Sequence, residues 1–212
     1  LLKTLIMTFF KLFLFLSQNF LNMYKHVALS GDNLSMNMTI IKNILKGQCS
    51  DLLPELADKK GVLFSNTTLT HFIEEEFLHE KFDLTKKYNR SIRTLSTGEQ
   101  KKAMLDYLIQ TKPDFIIIDN PFDSLDIKSV KKLHNQFKEL SEIMPLIQVF
   151  KRKEDLLPFI NHAIRIENGN LVYSGDIQKY FQIYDHSKKF ELNGNIPASI
   201  NEYKLTCDQL IK

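Results

Sequence analysis

The sequence predicts an α/β fold built on a mostly parallel sheet. Three observations carry that prediction. Apolar strand-like runs alternate with segments of helical periodicity along most of the chain. The run at 115–119, Phe-Ile-Ile-Ile-Asp, is apolar at successive positions, as a strand covered on both faces must be. A short strand, a glycine-containing loop and a helix follow one another over 26–46, the shape of a phosphate-binding βα unit.

The elements follow in chain order. Residues 1–24 are very apolar, with Phe9, Phe10, Leu12, Phe13, Leu14, Phe15 and Leu16 in close succession. Lys3 and Lys11 interrupt the run before it reaches the roughly 18 uncharged residues of a spanning helix, and no small-residue cleavage site follows. Phe, Ile, Leu and Thr suit strands, so two short antiparallel strands are expected here, with no insertion into a membrane. The run 26–30 is a strand ending at Gly31. Ile40, Ile41, Ile44 and Leu45 set a helix over 39–46, closed by Gly47. A strand is expected at 62–64. An acidic helix is expected over 70–81, with Glu74, Glu75 and Glu76 exposed. Residues 95–100 read as a polar turn and 101–110 as a helix ending before Pro113. After the strand at 115–119 come a helix over 127–140 and a strand over 146–150. Asn168-Gly169 between two apolar runs marks a hairpin. A helix follows Gly175, and the tail from 188, with Gly194 and Pro197, reads as a linker. The expected division is a domain over 1–187 and a linker over 188–212.

Bulk properties narrow the function. A chain of 212 residues accommodates one large domain. The net charge of +3 comes with scattered lysine pairs (Lys59-Lys60, Lys86-Lys87, Lys131-Lys132, Lys188-Lys189), not a clustered basic face, and nucleic acid is not expected as a partner. Cys49 and Cys207 form no metal or disulfide pattern, in keeping with a reducing cytoplasm. His71, His79, His134, His162 and His186 show no ligand spacing.

Four segments carry the chemistry. The first is Gly31-Asp32-Asn33-Leu34-Ser35-Met36-Asn37-Met38-Thr39, between strand and helix. The second is Leu95-Ser96-Thr97-Gly98-Glu99-Gln100, ahead of a helix. The third is the apolar strand ending in Asp119, followed by Asn120-Pro121. The fourth is Phe122-Asp123-Ser124-Leu125-Asp126. In that order, from about residue 26 to 175, they resemble the ATP-binding cassette family: signature motif, Walker B strand and D-loop. Ser-Thr-Gly-Glu and Pro-Phe-Asp-Ser-Leu-Asp are similar to the tandem-cassette proteins of the photorepair and molybdate-operon type. The resemblance implies a P-loop NTPase-type cassette fold with a short helical signature subdomain. It also implies ATP as ligand, Mg²⁺ as its companion ion, and a second cassette as partner. The residues 205–212 have the apolar content of a first strand. With Leu in place of Met at the start, the chain reads as the first half of a tandem protein.

The resemblance also exposes departures. A working phosphate loop needs a second glycine, a lysine for the β and γ phosphates and a hydroxyl for Mg²⁺. Met36, Asn37 and Met38 stand at those places, and Leu34 stands where a glycine is usual. Gly31 and Thr39 remain, and a helix N-terminus there still favours an anion. Asp119 keeps the Walker B carboxylate, which in the family orients Mg²⁺ through water. Asn120 replaces the glutamate that activates water, and an amide accepts no proton at neutral pH; general-base help is worth roughly 10²–10⁴-fold. Lys151, in Val-Phe-Lys-Arg-Lys-Glu-Asp, occupies the switch-histidine position, and Ser65 is the residue in register for the glutamine loop. Tyr24 or Phe20 is available to stack on adenine, although core packing accounts for them as well.

The signature implies the opposite balance. In the family its serine hydroxyl and glycine N–H bind the γ-phosphate of ATP held by the other cassette. Leu95, Ser96, Thr97, Gly98, Glu99 and Gln100 retain that pattern, with Ser96 also suited to cap the helix, and Ser124, Leu125 and Asp126 form the D-loop facing the opposite site. Three readings stay open: half of a composite ATPase, a regulatory pseudo-ATPase half, or a structural remnant. In each the chain is expected to be cytoplasmic, with at most a peripheral place at a membrane.

Overall fold

A computed structural model describes residues 26–31, 38–49, 52–86, 88 and 90–184. The strands expected over 1–24, positions Asp32 to Asn37, and the linker over 188–212 lie outside the described residues.

Six strands form one sheet: β1 (Val27–Gly31), β2 (Gly61–Phe64), β3 (Phe115–Asp119), β4 (Leu146–Val149), β5 (His162–Glu167) and β6 (Asn170–Asp176). Their order is β2-β3-β4-β1-β5-β6, parallel throughout except for the β5–β6 hairpin. The helices are α1 (Met38–Leu45), α2 (Asn66–His79), α3 (Thr97–Gln110), α4 (Ile127–Ser141) and α5 (Ile177–Tyr184).

Side-chain alternation along the strands divides the core in two. Val27, Leu29, Phe115, Ile117, Ile147, Val149 and Ile164 point to one face, where Ile41 and Ile44 of α1 pack with Leu53 and Leu56. Ala28, Ile116, Ile118, Leu146 and Ala163 point to the other, against Met104, Leu105 and Leu108 of α3 and Leu133, Phe137 and Leu140 of α4. The two-sided burial explains why β3 carries no polar residue before Asp119. Both cores are far drier than their rim: residues 115–118 have no exposed surface.

The parallel arrangement brings the C-terminal ends of β1, β3 and β4 to one edge of the sheet. Asp119 pairs in register with Val149, and Val149 with Leu29. The backbone leaves β4 with the Phe150 N–H donating to the Leu29 carbonyl at 3.1 Å. Gly47 closes α1 with φ +71° and a Gln48 N–H to Asn43 carbonyl bond of 2.9 Å, and Asn168 and Gly169 turn the hairpin at φ +50° and +81°.

Four expectations need correction. Helix α3 begins at Thr97, not 101, so residues 97–100 are its first turn and not a free polar turn; the capping interactions of Ser96 move the start forward. Helix α2 begins at Asn66, not 70, because the Ser65 hydroxyl accepts from the Thr68 N–H at 3.1 Å and starts the helix through residues of low propensity. Glu76 is buried, not exposed, and Glu75 is partly covered. The last strand runs through Gly175 to Asp176, so the helix expected after Gly175 begins only at Ile177.

Candidate functional site

The signature segment is held from below by Glu76. Its carboxylate accepts from the Thr85 hydroxyl at 2.8 Å, from the Ser91 hydroxyl, and from the Ile92 N–H at 2.8 Å. That fixes the turn leading to Leu95, which is buried and anchors the motif. Ser96 then caps α3 in a reciprocal box: its hydroxyl accepts from the Glu99 N–H at 3.4 Å, while the Glu99 carboxylate accepts from the Ser96 N–H at 2.8 Å and hydroxyl at 2.9 Å. Arg90 donates to the other Glu99 oxygen at 2.8 Å. The bonds from Ser96, backbone then hydroxyl, and next the Arg90 charge hold the Glu99 carboxyl below the ordinary range. Gln100 secures the turn from behind, donating to the Ile92 carbonyl at 2.9 Å. For Ser96 to donate its hydroxyl to an incoming phosphate, it must release Glu99.

A side chain at Gly98 would force Ser129 to shift. A Cβ there would lie 2.4 Å from the Ser129 Oγ and 3.0 Å from its Cβ. That close approach sets the first turn of α3 against the first turn of α4. Asp126 caps α4, accepting from the Lys128 N–H at 2.8 Å, the Ser129 N–H at 3.0 Å and the Ser129 hydroxyl at 2.7 Å. These bonds, the Ser129 hydroxyl first, lower the Asp126 carboxyl. The segments expected as signature and D-loop therefore share one surface, with a cleft of about 270 Å³ lined by Ser96, Gly98, Glu99, Lys102, Leu125, Ser129 and Lys132 among others.

A second cleft, about 280 Å³, lies at the strand ends and is lined by Asn120, Asp123, Ser124, Gln148, Lys151 and Arg152 among others. Asp119 is partly buried beside it. Burial pushes its carboxyl up, and the Lys151 ammonium partly offsets that. Asn120 follows with φ +47° and Ser124 with φ +59°. Asn tolerates this left-handed backbone better than Ser does, and each costs of order 1 kcal/mol. The turn between them is pinned by Phe122, whose ring stacks on His134 and meets Phe137 edge-on.

The structure thus gathers Asn120, Ser124 and Lys151 at one cleft, with Asp119 beside it, and Ser96, Gly98 and Glu99 with Leu125 at the other, where Asp126 is tied in through Ser129; Leu95, Thr97 and Gln100 flank that cleft without lining it. Of the phosphate-loop positions, Gly31 ends β1 and Thr39 is exposed in the first turn of α1; Met38 opens that helix, and Asp32, Asn33, Leu34, Ser35, Met36 and Asn37 lie outside the described residues. Ser65, the residue expected in register for the glutamine loop, is buried and spends its hydroxyl on capping α2. Sequence reasoning missed three residues. Glu76 supports the signature. Lys101, 2% exposed, donates to the Pro121 and Asp123 carbonyls. Gln148, with no exposed surface, folds the segment after β4 by donating to the Asp155 carbonyl at 2.6 Å and accepting from the Leu157 N–H at 2.9 Å. A lone polar residue inside an apolar strand was the available signal for Gln148.

No family model matches the chain. An uncharacterized ABC transporter ATP-binding protein of Schizosaccharomyces pombe is 30% identical over 111 residues, 51% of this chain and 23% of that protein. The ABC transporter ATP-binding protein ModF of Escherichia coli is 29% identical over 106 residues, 50% of this chain and 22% of that protein. The zinc import ATP-binding protein ZnuC of Rickettsia bellii is 30% identical over 132 residues, 61% of this chain and 55% of that protein. The chain thus spans under a quarter of the first two relatives and about half of the third. A crystal structure of a nucleotide-free ATP-binding cassette from an ABC transporter superposes with a TM-score of 0.52 at 15% identity, covering 79% of this chain and 87% of that one, and establishes likeness of fold.

Proposed function

We propose that the chain is an ATP-binding cassette domain, as the relatives it resembles are, and that it lends its signature motif and D-loop to a composite ATP site completed by a second cassette, while its own phosphate site is impaired. The observation that supports this most directly is the packing of Gly98 on Ser129, which sets the Ser96 cap and the Asp126 cap side by side. Donors placed before charge develops are what phosphoryl transfer requires. The second cassette is proposed as part of the same polypeptide, following the linker over 188–212, or as another subunit.

At the chain's own site the chemistry points the other way. Asn37 lacks the phosphate cation and Asn120 the base. The donor set fits Mg²⁺ poorly: Met38 offers a thioether where a hydroxyl is needed, and the one Walker B carboxylate, Asp119, already has the Lys151 ammonium as its counter-charge. A regulatory reading, in which nucleotide closes the two cassettes without turnover, draws on the engagement of the Ser96 hydroxyl by Glu99. Among the described residues no helix is long and apolar enough to cross a membrane.

The test has two parts. The chain alone should release phosphate from ATP at background rates, unchanged by Asp119→Ala; steady turnover lost in that variant would refute the impairment. In the tandem protein, Ser96→Arg should abolish turnover, and Asn37→Ala should leave it near the parent level. Equal losses would mean the altered loop still works and the division of labour is wrong. If the tandem protein lacks turnover, ATP-dependent closure of the two halves takes its place, with the same ranking expected.

A further inference from the structure

The two clefts are joined by one buried cation. Lys101 lies in the second turn of α3, five residues after Ser96, and is 2% exposed. Its Nζ donates to the Asp123 carbonyl at 2.8 Å and to the Pro121 carbonyl at 3.0 Å. Those carbonyls belong to the turn between Asp119 and Asp126, which is bracketed by the left-handed residues Asn120 and Ser124. Burial lowers the ammonium's pKa, with the Asp123 charge opposing that shift.

We propose that Lys101 is a positioning residue: its ammonium ties the 121–123 turn to the signature helix, so that signature and D-loop are presented to a partner's nucleotide as one rigid unit. The proposal rests on the composite-site reading above. Its physical basis is the cost of burying a charge. An ammonium taken out of water loses hydration that an apolar side chain of similar length would not lose. If Lys101 only filled the core, methionine would serve as well or better. What the lysine adds is two directed bonds to backbone carbonyls of a turn whose dihedrals are unfavourable on their own. The downstream end of the same turn is fixed independently, by Asp126 capping α4 and by Ser129 packed on Gly98. The turn is therefore held to the signature helix at both ends, once by a charge and once by a close contact. The Asn66 amide, donating to the Asp123 carboxylate at 3.1 Å, adds a third tie, to α2.

The test is amide hydrogen exchange on this chain, without nucleotide, for Lys101→Met, Lys101→Arg and Leu105→Ala. The amides of Asp123 and Leu125 bond within the turn. In Lys101→Met they should exchange roughly tenfold to a hundredfold faster than in the parent, beyond any change shared by the whole chain. Lys101→Arg, which keeps the charge and the donors, should restore most of the protection. Leu105→Ala, which opens a cavity in the core reached by the same helix, should lower global stability without singling out those amides. Unchanged protection in Lys101→Met, or an equal rise in Leu105→Ala at matched stability, overturns the proposal. If Lys101→Met fails to fold, Lys101→Gln, whose shorter amide cannot reach both carbonyls, replaces it with the same outcomes. This readout needs no partner. A failure here removes the tether whatever happens at the composite site, and a silent Ser96→Arg in the tandem protein removes the composite site while leaving the tether standing.

Discussion

Glu76→Ala removes the acceptor beneath the signature. The carboxylate takes three hydrogen bonds, from two hydroxyls and the Ile92 N–H, and the residue is buried at 7% exposure. Hydrogen bonds to an ionised group are worth roughly 1.5–3 kcal/mol each. The three do not add in full, because the Thr85 and Ser91 hydroxyls can turn to water or to nearby carbonyls. The Ile92 N–H has no such freedom, since Ile92 is 1% exposed. A loss of about 3–4 kcal/mol is expected, at the upper end for single substitutions. For a domain of this size that is a fall of roughly 6–16 °C in the melting midpoint. Glu76→Gln keeps one carbonyl for Ser91 and Ile92, and the Thr85 hydroxyl can rotate to accept from the new amide, so its cost should stay near 1 kcal/mol. Urea unfolding of the three proteins supplies the measurement, with an unchanged slope showing that the same surface is exposed. A Glu76→Ala protein within 1 kcal/mol of the parent would refute the assignment of this carboxylate as the signature's support.

Two further outcomes can be checked on the same protein. Gly98→Ala should destabilise by about 1–2 kcal/mol despite alanine's better helix propensity, because its Cβ meets the Ser129 hydroxyl; adding Ser129→Ala should recover part of that loss, and strict additivity in the double-mutant cycle would contradict the contact. Acid should act through the two caps: the Asp126 and Glu99 carboxyls are lowered in the folded chain, so their stabilisation is complete above the ordinary carboxylate range and is lost as pH falls through the lower folded values. Asp119 has the opposite sign, since a carboxyl raised by burial makes its contribution decline as pH rises between its unfolded and folded values. Urea midpoints measured from pH 3 to 7 should therefore flatten at the acid end in Asp126→Asn and not in Asp119→Asn.

By itself the sequence determined the parallel sheet and the order of the chemical motifs. Phe115–Asp119 read as a strand buried on both faces, Asn168-Gly169 as the turn of a hairpin, and the spacing of Ile40, Ile41, Ile44 and Leu45 marked a helix face that meets the sheet. These are local patterns, and burial of apolar surface enforces them wherever the chain folds. Helix starts were less legible, because Ser65 and Ser96 act as caps only when their hydroxyls find the next turn's N–H groups. The tertiary structure alone decided the fate of the polar side chains. Glu76 reads as one of three surface acids, and nothing in the helical run 101–110 singles out Lys101, yet both are buried because distant backbone offers them bonds: Ile92 for the carboxylate, Pro121 and Asp123 for the ammonium. Sequence period records which side of a helix is apolar. It does not record a carbonyl twenty residues away, and that is what makes burying a charge tolerable.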